Sequence, residues 1–486
     1  MKRFGAVRVD AAMVFLAALW LVCLYRAITQ SIVHDEALTW ELYLAGPASV
    51  IFAYFDANHH FLNTLLMRVS TGLLGFSEFS MRLPALCAAA LWFAAVYRIA
   101  RRLTASKPLA LVICAALTLN PILMDFMVAA RGYGMALAFF AWAFATMMPL
   151  LERQSMTNRD LLRCAIALSL SVMANLTFLI PVAILAGCVF FLQRSVAPAP
   201  LPASAKKRSR DKAPAKKAVS SIWRWFVLPI AACAVAFGLA APLDVARSKQ
   251  FYVGTPSIAS SLRNLASVSL LYARWAQRVH AASAIRDVIA FGIAPAIVLG
   301  GLVAGFVRRD RLLLVPSLVA AGSWCVLVMA HGITGMPLPV DRTGLYFPAL
   351  IALILVLLSV RAFRPLWAFV GIAIVASAAQ FNVRSFYVWD YDADTRTIAN
   401  LIARRHASNA PESVHVGASW KLEPALNYYR VTNQLSWMQP VDRRPIRSGA
   451  PFYAITAEDQ RVIGELGLKA IYKGEVSGTV LAVPEP

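Results

Sequence analysis

Long apolar runs, repeated along most of the chain, are the feature that most constrains its fold. About eleven of them alternate with short polar or basic stretches between Ala11 and Ala379, and several approach the ~20 residues that a helix needs to cross a bilayer. The runs are continuous rather than alternating, which favours helices over a barrel. Only 15% of the 486 residues are charged, against about 25% in soluble domains. The chain is therefore predicted to be a polytopic α-helical membrane protein.

Basic residues between the runs predict the topology. Lysine and arginine number 47 against 25 acidic residues, a net charge of +22, and we read this excess as topology signals and lipid contacts rather than nucleic-acid binding. Lys2, Arg3 and Arg8 predict a cytoplasmic N-terminus. The first outer loop then covers residues 30–82, with Phe61–Leu74 as a helix lying at the membrane interface.

Composition also predicts the domain organisation. Residues 194–221, rich in Lys, Pro and Ala, form a basic cytoplasmic linker, and residues 242–287 form a long outer segment that is basic against the usual rule. The predicted membrane domain covers residues 1–381. Residues 382–486 are polar with short alternating runs, typical of a small α/β domain on the outer face. The seven cysteines all lie in apolar runs and are interpreted as buried hydrophobes.

The sequence His34-Asp35-Glu36 stands directly at the outer end of the first apolar run. Ionisable groups at a membrane span are costly to desolvate and usually mark a site. The alternative is that these residues belong to a solvated interfacial loop. Because the threading places them outside, we expect these carboxylates to face the outer aqueous compartment, where either could act as a general base.

The same threading collects further polar residues at the outer ends of the spans. They are Asp56, His59, His60, Glu78, Arg82, Asp125, Arg131, Tyr133, His331, Asp341, Arg342 and Tyr346. The long outer segment adds further positive charge, including Arg263 and Arg274. Arginine offers paired donors to phosphate and stays charged, while a carboxylate can accept a proton or hold a sugar hydroxyl. Arginines beside carboxylates therefore suit the transfer of a sugar from a phosphate leaving group.

Simpler interpretations stay open for several of these residues. Glu78 and Arg82 are four apart and could form a local helix pair, and Arg131 could reach lipid headgroups. Tyr133 and Tyr346 could be interfacial aromatics. His59 and His60 are candidate metal ligands, but adjacent histidines on a helix point about 100° apart and need other ligands.

Five segments of the chain carry a family resemblance. They are Asp35–Ala37, Asp56–Leu62, Gly75–Pro84, Ala130–Met135 and Asp341–Pro348. In order and spacing they resemble motifs of the integral-membrane GT-C glycosyltransferases, namely bacterial enzymes related to protein O-mannosyltransferases and lipid A aminoarabinose transferases. The chain departs from the pattern at His59-His60, where the family usually has His-Pro-Pro-Leu.

The resemblance implies the GT-C fold and an inverting transferase that takes its sugar from a polyprenyl-phosphate donor at the outer leaflet. Asp35, with Glu36 beside it, would be the catalytic carboxylate. Asp56, His59, His60, Glu78 and Tyr133 would bind the sugar or the acceptor, which is a glycan, a lipid or a protein. Arg82, Arg131, Arg263, Arg274, Arg342 and Tyr346 would bind the lipid phosphate.

The remaining expectations concern location, cofactors and competing functions. We expect a multi-pass protein of a bacterial inner membrane with a periplasmic C-terminal domain, lipid-linked donor and no nucleic-acid partner. No cofactor is assigned, and a divalent metal stays open. The alternatives are a transporter or lipid flippase, and a non-catalytic lipid-glycan binder. A transporter should carry its charges near mid-bilayer, whereas here they gather at one end of the spans.

Overall fold

Helices make up most of the structure, a computed structural model that describes residues 10–196, 221–243, 253–406 and 413–485. In chain order the α-helices of the predicted membrane domain are α1 Ala11–Thr29, α2 His34–Thr39, α3 Val50–Ala53, α4 Phe61–Leu74, α5 Glu78–Leu103, α6 Lys107–Thr118, α7 Pro121–Phe126, α8 Gly132–Leu151, α9 Asn158–Ala174, α10 Leu179–Ser195, α11 Leu228–Ala240, α12 Ile258–Leu270, α13 Arg274–Gln277, α14 Ala282–Val288, α15 Ala294–Val307, α16 Arg311–Thr334, α17 Tyr346–Arg361 and α18 Trp367–Ala379. Most of the predicted basic linker and residues 244–252 of the outer segment lie outside the described residues.

The number of candidate spans is smaller than the eleven predicted. Among the described residues, seven helices are long and apolar enough to cross a membrane. They are Ala11–Thr29, Glu78–Leu103, Gly132–Leu151, Leu176–Ser195, Trp223–Ala240, Ala282–Val307 and Arg311–Thr334. The four other predicted runs are also helical, but α6, α9, α17 and α18 have only 12 to 17 residues, about 18–26 Å at 1.5 Å per residue. A multi-pass helical membrane protein is confirmed.

Helix boundaries explain why two of the predicted spans are short. The apolar run that begins at Leu109 stops at Thr118, where Asn120 caps a new helix with Pro121 in its first turn. Proline lacks an N–H group and restricts the residue before it, so it favours a helix start over a helix interior. Asn175 likewise ends α9, and its side-chain oxygen accepts the backbone N–H of Thr177 at 2.9 Å.

Close backbone packing holds α8 at the centre of the membrane domain. Helix α8 is apolar around its whole circumference and is mostly buried, which is typical of a central helix. A Cβ atom on Gly132 would collide with the carbonyl oxygen of Ala174 and lie 2.8 Å from the Cβ of His60. The small residue therefore lets the start of α8 touch both the end of α9 and the first loop.

Replacing Gly132 by alanine is expected to destabilise the protein by about 1–3 kcal/mol, the usual cost of overpacking. The measurement is thermal unfolding in detergent. Gly187→Ala is the matched control, because a Cβ at this position on α10 meets nothing within 4 Å and alanine favours helix. Equal unfolding temperatures for the two variants would contradict the packing argument.

The C-terminal region contains a small mixed sheet with helices, as predicted. Its elements are α19 Thr395–Arg405, β1 Val416–Ala418, α20 Glu423–Thr432, β2 Phe452–Ile455, α21 Arg461–Glu465, β3 Leu468–Lys473 and β4 Val480–Pro484. The strand order is β1-β2-β4-β3. Strands β1 and β2 are parallel, Val416 pairing with Phe452, whereas β4 runs antiparallel to both β2 and β3.

The C-terminal region shares a hydrophobic core with the first loop. Trp40 packs edge-on against Tyr428 of α20, with ring centroids 5.3 Å apart. Ile32 and Ala37 belong to the same buried cluster as Leu426. The predicted outer loop and the predicted C-terminal domain therefore form one packed unit, which surrounds the His34-Asp35-Glu36 sequence.

Candidate active site

The two adjacent carboxylates of the first loop have different environments. Both stand in the first turn of α2, where successive residues point about 100° apart. Glu36 is fully buried and accepts two hydrogen bonds from Arg82, at 2.9 and 2.6 Å. It also accepts the backbone N–H groups of Ala130 at 2.7 Å and Val33 at 3.2 Å. Glu36 therefore ties three parts of the chain together.

Arg82 is equally enclosed by its partners. Besides Glu36, its guanidinium donates to the backbone carbonyls of Ala27, Gln30 and Ser31 at 3.3, 2.8 and 2.7 Å. The two charged side chains are fully buried, and a buried ion pair is stable only when such additional hydrogen bonds satisfy it. This arrangement fits a structural tie between α5 and the loop after α1, and it leaves Arg82 little capacity for a ligand.

Asp35 points instead into a cluster of arginines. Its Oδ2 lies 3.3 Å from Nη2 of Arg342 and 3.7 Å from Nη2 of Arg131. Arg131 is held in place by donating to the carbonyl of Asp35 at 3.3 Å and to the hydroxyl of Thr39 at 3.2 Å. Burial raises the pKa of Asp35, but Arg342 and Arg131 outweigh it and bring the pKa below its ordinary value. Asp35 is thus ionised at neutral pH.

The backbone around Arg342 is held in an uncommon conformation. Asp341 has φ +45°, in the left-handed region that non-glycine residues rarely adopt. Asn264 holds it from both sides: the amide group donates to the Asp341 carboxylate at 3.0 Å, and the amide oxygen accepts the Asp341 N–H at 2.6 Å. The guanidinium of Arg342 lies 5.8 Å from the ring centroid of Trp389. Strain of this kind persists where the surroundings fix it, commonly at functional sites.

Several polar atoms of this cluster are buried without a good hydrogen bond among the described residues. They are Oδ2 of Asp35 and the Nε atoms of Arg131 and Arg342. Buried polar groups are nearly always satisfied, so exceptions call for an explanation such as a ligand or water. The contrast with the fully bonded Glu36–Arg82 pair indicates that Asp35, Arg131 and Arg342 form the part of this region that can accept a ligand.

His59 and His60 lie in an aromatic pocket next to this cluster. The His59 ring stacks on Tyr43 with centroids 4.4 Å apart, and burial lowers the pKa of His59 to about 4. Asn175 holds Nδ1 of His60 at 3.1 Å. Burial, with the nearby Arg131, brings the pKa of His60 well below its ordinary value. Both rings are therefore neutral at pH 7.

The structure gives these histidines a poor metal site. Within the described ranges there is no group of three or more His, Cys, Asp or Glu residues that could hold a metal ion. Asp56, the nearest predicted carboxylate, accepts the backbone N–H of Asn58 at 2.9 Å in the turn before the histidines. The donor set therefore does not fit a divalent metal, which needs further ligands.

Three other predicted site residues are paired away from Asp35. Glu78 accepts hydrogen bonds from Tyr429 and Arg396 at 2.7 and 3.0 Å, joining α5 to the C-terminal region. Arg263 forms a two-fold ion pair with Asp287 at 3.0 and 3.1 Å, near the surface. Arg274 pairs with Asp390. Asp390 follows Trp389 in the chain, and the Trp389 ring lies beside Arg342.

The two predicted tyrosines have different surroundings: Tyr133 is close to Arg342, whereas Tyr346 lies among apolar side chains. Burial lowers the pKa of Arg342, but Asp35 and Tyr133 raise it above its ordinary value, so the guanidinium stays charged. Tyr346 is buried and lines an apolar cavity of about 40 Å³ between α5, α6, α8 and α17. The other lining residues are Trp92, Val96, Ile99, Leu117, Leu137, Phe140, Ala141, Phe144, Ala349, Leu350 and Leu353.

The sequence analysis placed Asp125 at the outer ends of the spans but missed its buried ion pair with Arg26. Arg26 donates to Asp125 at 2.6 Å and to the carbonyl of Ser385 at 3.0 Å, and Asp125 also accepts the N–H of Tyr387 at 2.9 Å. A charged residue within the first apolar run was the available signal, because such residues usually have a role. The pair fastens the start of the C-terminal region to the membrane domain.

Part of the chain is similar to a known enzyme family. Residues 58–201 match the dolichyl-phosphate-mannose-protein mannosyltransferases. The matching part contains His59, His60, Arg82, Arg131 and Tyr133. The resemblance to membrane glycosyltransferases, inferred above from motifs, is therefore confirmed. Among curated proteins, none matches the chain significantly.

Solved structures of membrane transferases are similar to the chain at low identity. ArnT from Cupriavidus metallidurans bound to undecaprenyl phosphate has 12% identity and a TM-score of 0.40, with 97% of this chain and 99% of that chain covered. The archaeal oligosaccharyltransferase AglB from Archaeoglobus fulgidus, in complex with an inhibitory peptide and a dolichol-phosphate, has 12% identity and a TM-score of 0.38, with 98% and 74% covered.

Proposed function

We propose that the protein is an inverting glycosyltransferase that moves a sugar from a polyprenyl-phosphate donor to an acceptor on the outer side of the membrane. The family match supports a transferase as the class of enzyme. The observation that carries the proposal is the geometry of Asp35, whose Oδ2 lies between Arg342 at 3.3 Å and Arg131 at 3.7 Å. A base and two cations in one buried cluster match the needs of this reaction.

The chemistry assigns a separate task to each member of the cluster. Asp35 accepts the proton of an acceptor hydroxyl while that oxygen forms a bond to the anomeric carbon. The bond between this carbon and the phosphate oxygen breaks on the opposite side, so the configuration inverts. The lipid phosphate leaves with an additional negative charge, which Arg131 and Arg342 stabilise through charge-assisted hydrogen bonds.

Donor binding would also make Asp35 a stronger base. Before the donor binds, Arg342 and Arg131 hold the pKa of Asp35 below its ordinary value, which favours the ionised form but weakens it as a base. A bound phosphate brings negative charge to the same guanidiniums and reduces their effect on the carboxylate. The pKa of Asp35 then rises, and its ability to take a proton increases once the donor is in place.

Tyr346 is proposed to contact the lipid part of the donor. It is buried, stands four residues beyond Arg342 in the chain, and lines an apolar cavity of about 40 Å³ between helices of the membrane domain. That cavity is smaller than the ~150 Å³ that holds a benzene ring, so it does not itself accommodate an isoprenoid chain. Apolar side chains close to the arginine cluster in sequence nevertheless suit the hydrocarbon next to a lipid phosphate.

The other candidate residues take revised roles within the proposal. Glu36 and Arg82 position the loop, because their hydrogen-bonding groups are engaged with each other and with backbone. Glu78 joins the loop to the C-terminal region through Arg396. His60 and Tyr133 stay candidates for sugar contacts, since both lie next to Arg342 or Arg131.

The orientation is part of the proposal. The basic N-terminus predicts that Asp35 and the C-terminal region face the periplasm of a bacterial inner membrane. Alkaline phosphatase fused after Pro486 is then active in intact cells, whereas green fluorescent protein at the same position is not fluorescent. The reverse pattern would place the site in the cytoplasm.

The decisive experiment supplies purified protein with undecaprenyl phosphate carrying radiolabelled mannose or aminoarabinose, together with a membrane extract as the source of acceptor. Under the proposal, label moves to an acceptor and undecaprenyl phosphate is released. Tight binding of undecaprenyl phosphate with no transfer from either donor would favour a non-catalytic binder. Movement of the intact donor across liposome membranes without transfer would favour a flippase.

The phosphate clamp predicts the effect of replacing Arg342 by glutamine. Losing charge-assisted hydrogen bonds of about 1.5–3 kcal/mol is expected to weaken undecaprenyl phosphate binding by about 10- to 100-fold, measured by competition with a labelled donor. The matched control is Arg384→Gln, whose exposed side chain pairs only with the exposed Glu475 among described residues. Unchanged binding by Arg342→Gln would remove this residue from the clamp.

A further inference from the structure

The segment of residues 385–392, which follows the last apolar helix, contacts both buried ion pairs and the helix that carries Asp35. It was predicted only as the beginning of a separate domain. The Phe386 ring of this segment packs against two buried guanidinium groups. Its centroid is 4.8 Å from the guanidinium carbon of Arg26 and 5.1 Å from that of Arg82. The Tyr387 N–H donates to Asp125 at 2.9 Å. The segment is therefore attached to both buried ion pairs of the membrane domain.

The other end of the 385–392 segment is attached to α2, the helix that carries Asp35. The carboxylate of Asp392 is fully buried and accepts the backbone N–H of His34 at 2.7 Å, at the first position of α2. Nδ1 of His34 in turn contacts the carbonyl of Lys421 at 2.7 Å. A helix leaves its first N–H groups without partners, so Asp392 supplies a cap for the helix that carries Asp35.

Trp389 lies between these two attachments and faces the cluster. Its side chain is almost completely buried, with its ring 5.6 Å from Phe126 and 5.8 Å from the guanidinium of Arg342. After Arg342, Arg131 and His34, the Trp389 side chain is a further group that lowers the pKa of Asp35. Within an otherwise helical turn, Trp389 alone has a non-helical backbone, with φ −123° and ψ 35°.

From these contacts we propose that residues 385–392 form a wall of the active site, in which Trp389 is a positioning residue for Asp35 and Arg342. The inference rests on the proposed function and extends it to a part of the chain outside the family match. A cation held against an aromatic face is restricted in direction as well as attracted. The same side chain favours the ionised form of Asp35, so Trp389 acts on both the base and the phosphate clamp.

The position of Asp35 relative to Arg342 matters because errors in the placement of reacting groups lower the rate of group transfer. A misplacement of about 1 Å between reacting groups can lower the rate on the order of 100-fold. The pair Asp35–Arg342 is held together only by a 3.3 Å contact without good hydrogen-bond geometry. A rigid ring with its centroid 5.8 Å from the Arg342 guanidinium would restrict how far that guanidinium moves relative to the carboxylate.

The test is Trp389→Phe, which keeps an aromatic ring against Phe126 but removes the indole N–H. The expected result is a kcat about 10- to 100-fold lower with donor KM changed less than about threefold. The acid limb of the kcat profile should move to higher pH, because one stabilising donor to ionised Asp35 is lost. Charged or titratable groups that also face Asp35 are His34, Arg131, Arg342, Tyr391 and Asp392, and these are unchanged.

Trp437→Phe is the matched control, since this tryptophan stacks on His406 within the C-terminal region. It should leave kcat and the pH profile unchanged. A double-mutant cycle with Arg342→Lys, measured on the folded fraction after size exclusion, separates positioning from stability. If Trp389 acts through Arg342, the double variant loses much less than the product of the two single losses.

Two results would overturn the inference: a wild-type kcat and pH profile in Trp389→Phe, or independent, multiplying losses in the cycle. Failure of the proposed function looks different. In that case the wild-type protein itself transfers no sugar from either donor, whatever residue stands at position 389.

Discussion

Replacing Asp35 by asparagine is expected to lower the rate of sugar transfer by about 10²- to 10⁴-fold, the usual contribution of a general base. The amide has nearly the same shape but cannot accept the proton of the acceptor hydroxyl. Donor binding should be kept or strengthened. In the wild-type protein the Asp35 carboxylate competes with the donor phosphate for Arg342 and Arg131, and the neutral amide of the variant competes less. The measurements are release of undecaprenyl phosphate from a labelled donor and competition binding of undecaprenyl phosphate.

Asp442→Asn is the control for this substitution. Asp442 lies in the C-terminal region, is partly exposed and pairs with Arg444, so its replacement should leave transfer unchanged. Transfer by Asp35→Asn at the wild-type rate would remove Asp35 from the mechanism. If Asp35→Asn lost both donor binding and transfer, Asp35 would instead have a structural role.

Glu36→Gln is expected to have the opposite signature, a loss of stability of about 3–5 kcal/mol, because it leaves the buried Arg82 without a countercharge. Both side chains are fully buried, and Glu36 accepts four hydrogen bonds from three parts of the chain. The measurements are the unfolding temperature in detergent and the fraction of protein recovered as a single species.

The control for Glu36→Gln is Glu41→Gln. Glu41 belongs to the same loop but is exposed, so its replacement should change the unfolding temperature little. A stable but inactive Glu36→Gln protein would contradict the separation of the two neighbouring carboxylates into a structural and a catalytic residue.

The membrane helices were predictable because long apolar runs leave few alternatives to a helix in a bilayer. Their lengths were harder to predict. Pro121 starts a new helix inside an apolar run, and Asn175 ends α9 by capping the following turn. Both residues act locally, but whether a polar residue interrupts a span or only faces a neighbour depends on packing.

The sequence grouped Asp35, Arg131 and Arg342 by their common position at span ends, and the structure places both arginines within 4 Å of the Asp35 carboxylate. The sequence favoured Asp35 over Glu36 as the base but did not reveal the ion pair of Glu36 with Arg82, because that pairing depends on the rotation of α2. Arg263 and Arg274 carried the same chemical signal, yet they pair with Asp287 and Asp390. Partner choice of this kind is decided by tertiary structure.

Trp389 is the residue of the candidate site that was hardest to predict from the sequence. It stands more than 350 residues from Asp35 along the chain, in a stretch whose composition resembles an ordinary domain boundary. The signal that could have drawn attention to it is the run Trp389-Asp390-Tyr391-Asp392, which begins ten residues beyond the end of the last apolar helix at Ala379. Like His34-Asp35-Glu36 after the first helix, this run places acidic residues beyond the end of a predicted span.

The core shared by the first loop and the C-terminal region also determines when the site can exist during biosynthesis. Asp35 is synthesised before most of the chain, but Asp392, Lys421 and Tyr429, which bond to residues 32–34, follow all the apolar helices. Contacts of such long sequence separation form late, since the intervening chain must first be in place. A nascent chain that stops before these residues therefore lacks the partners that hold the beginning of α2, the helix that carries Asp35.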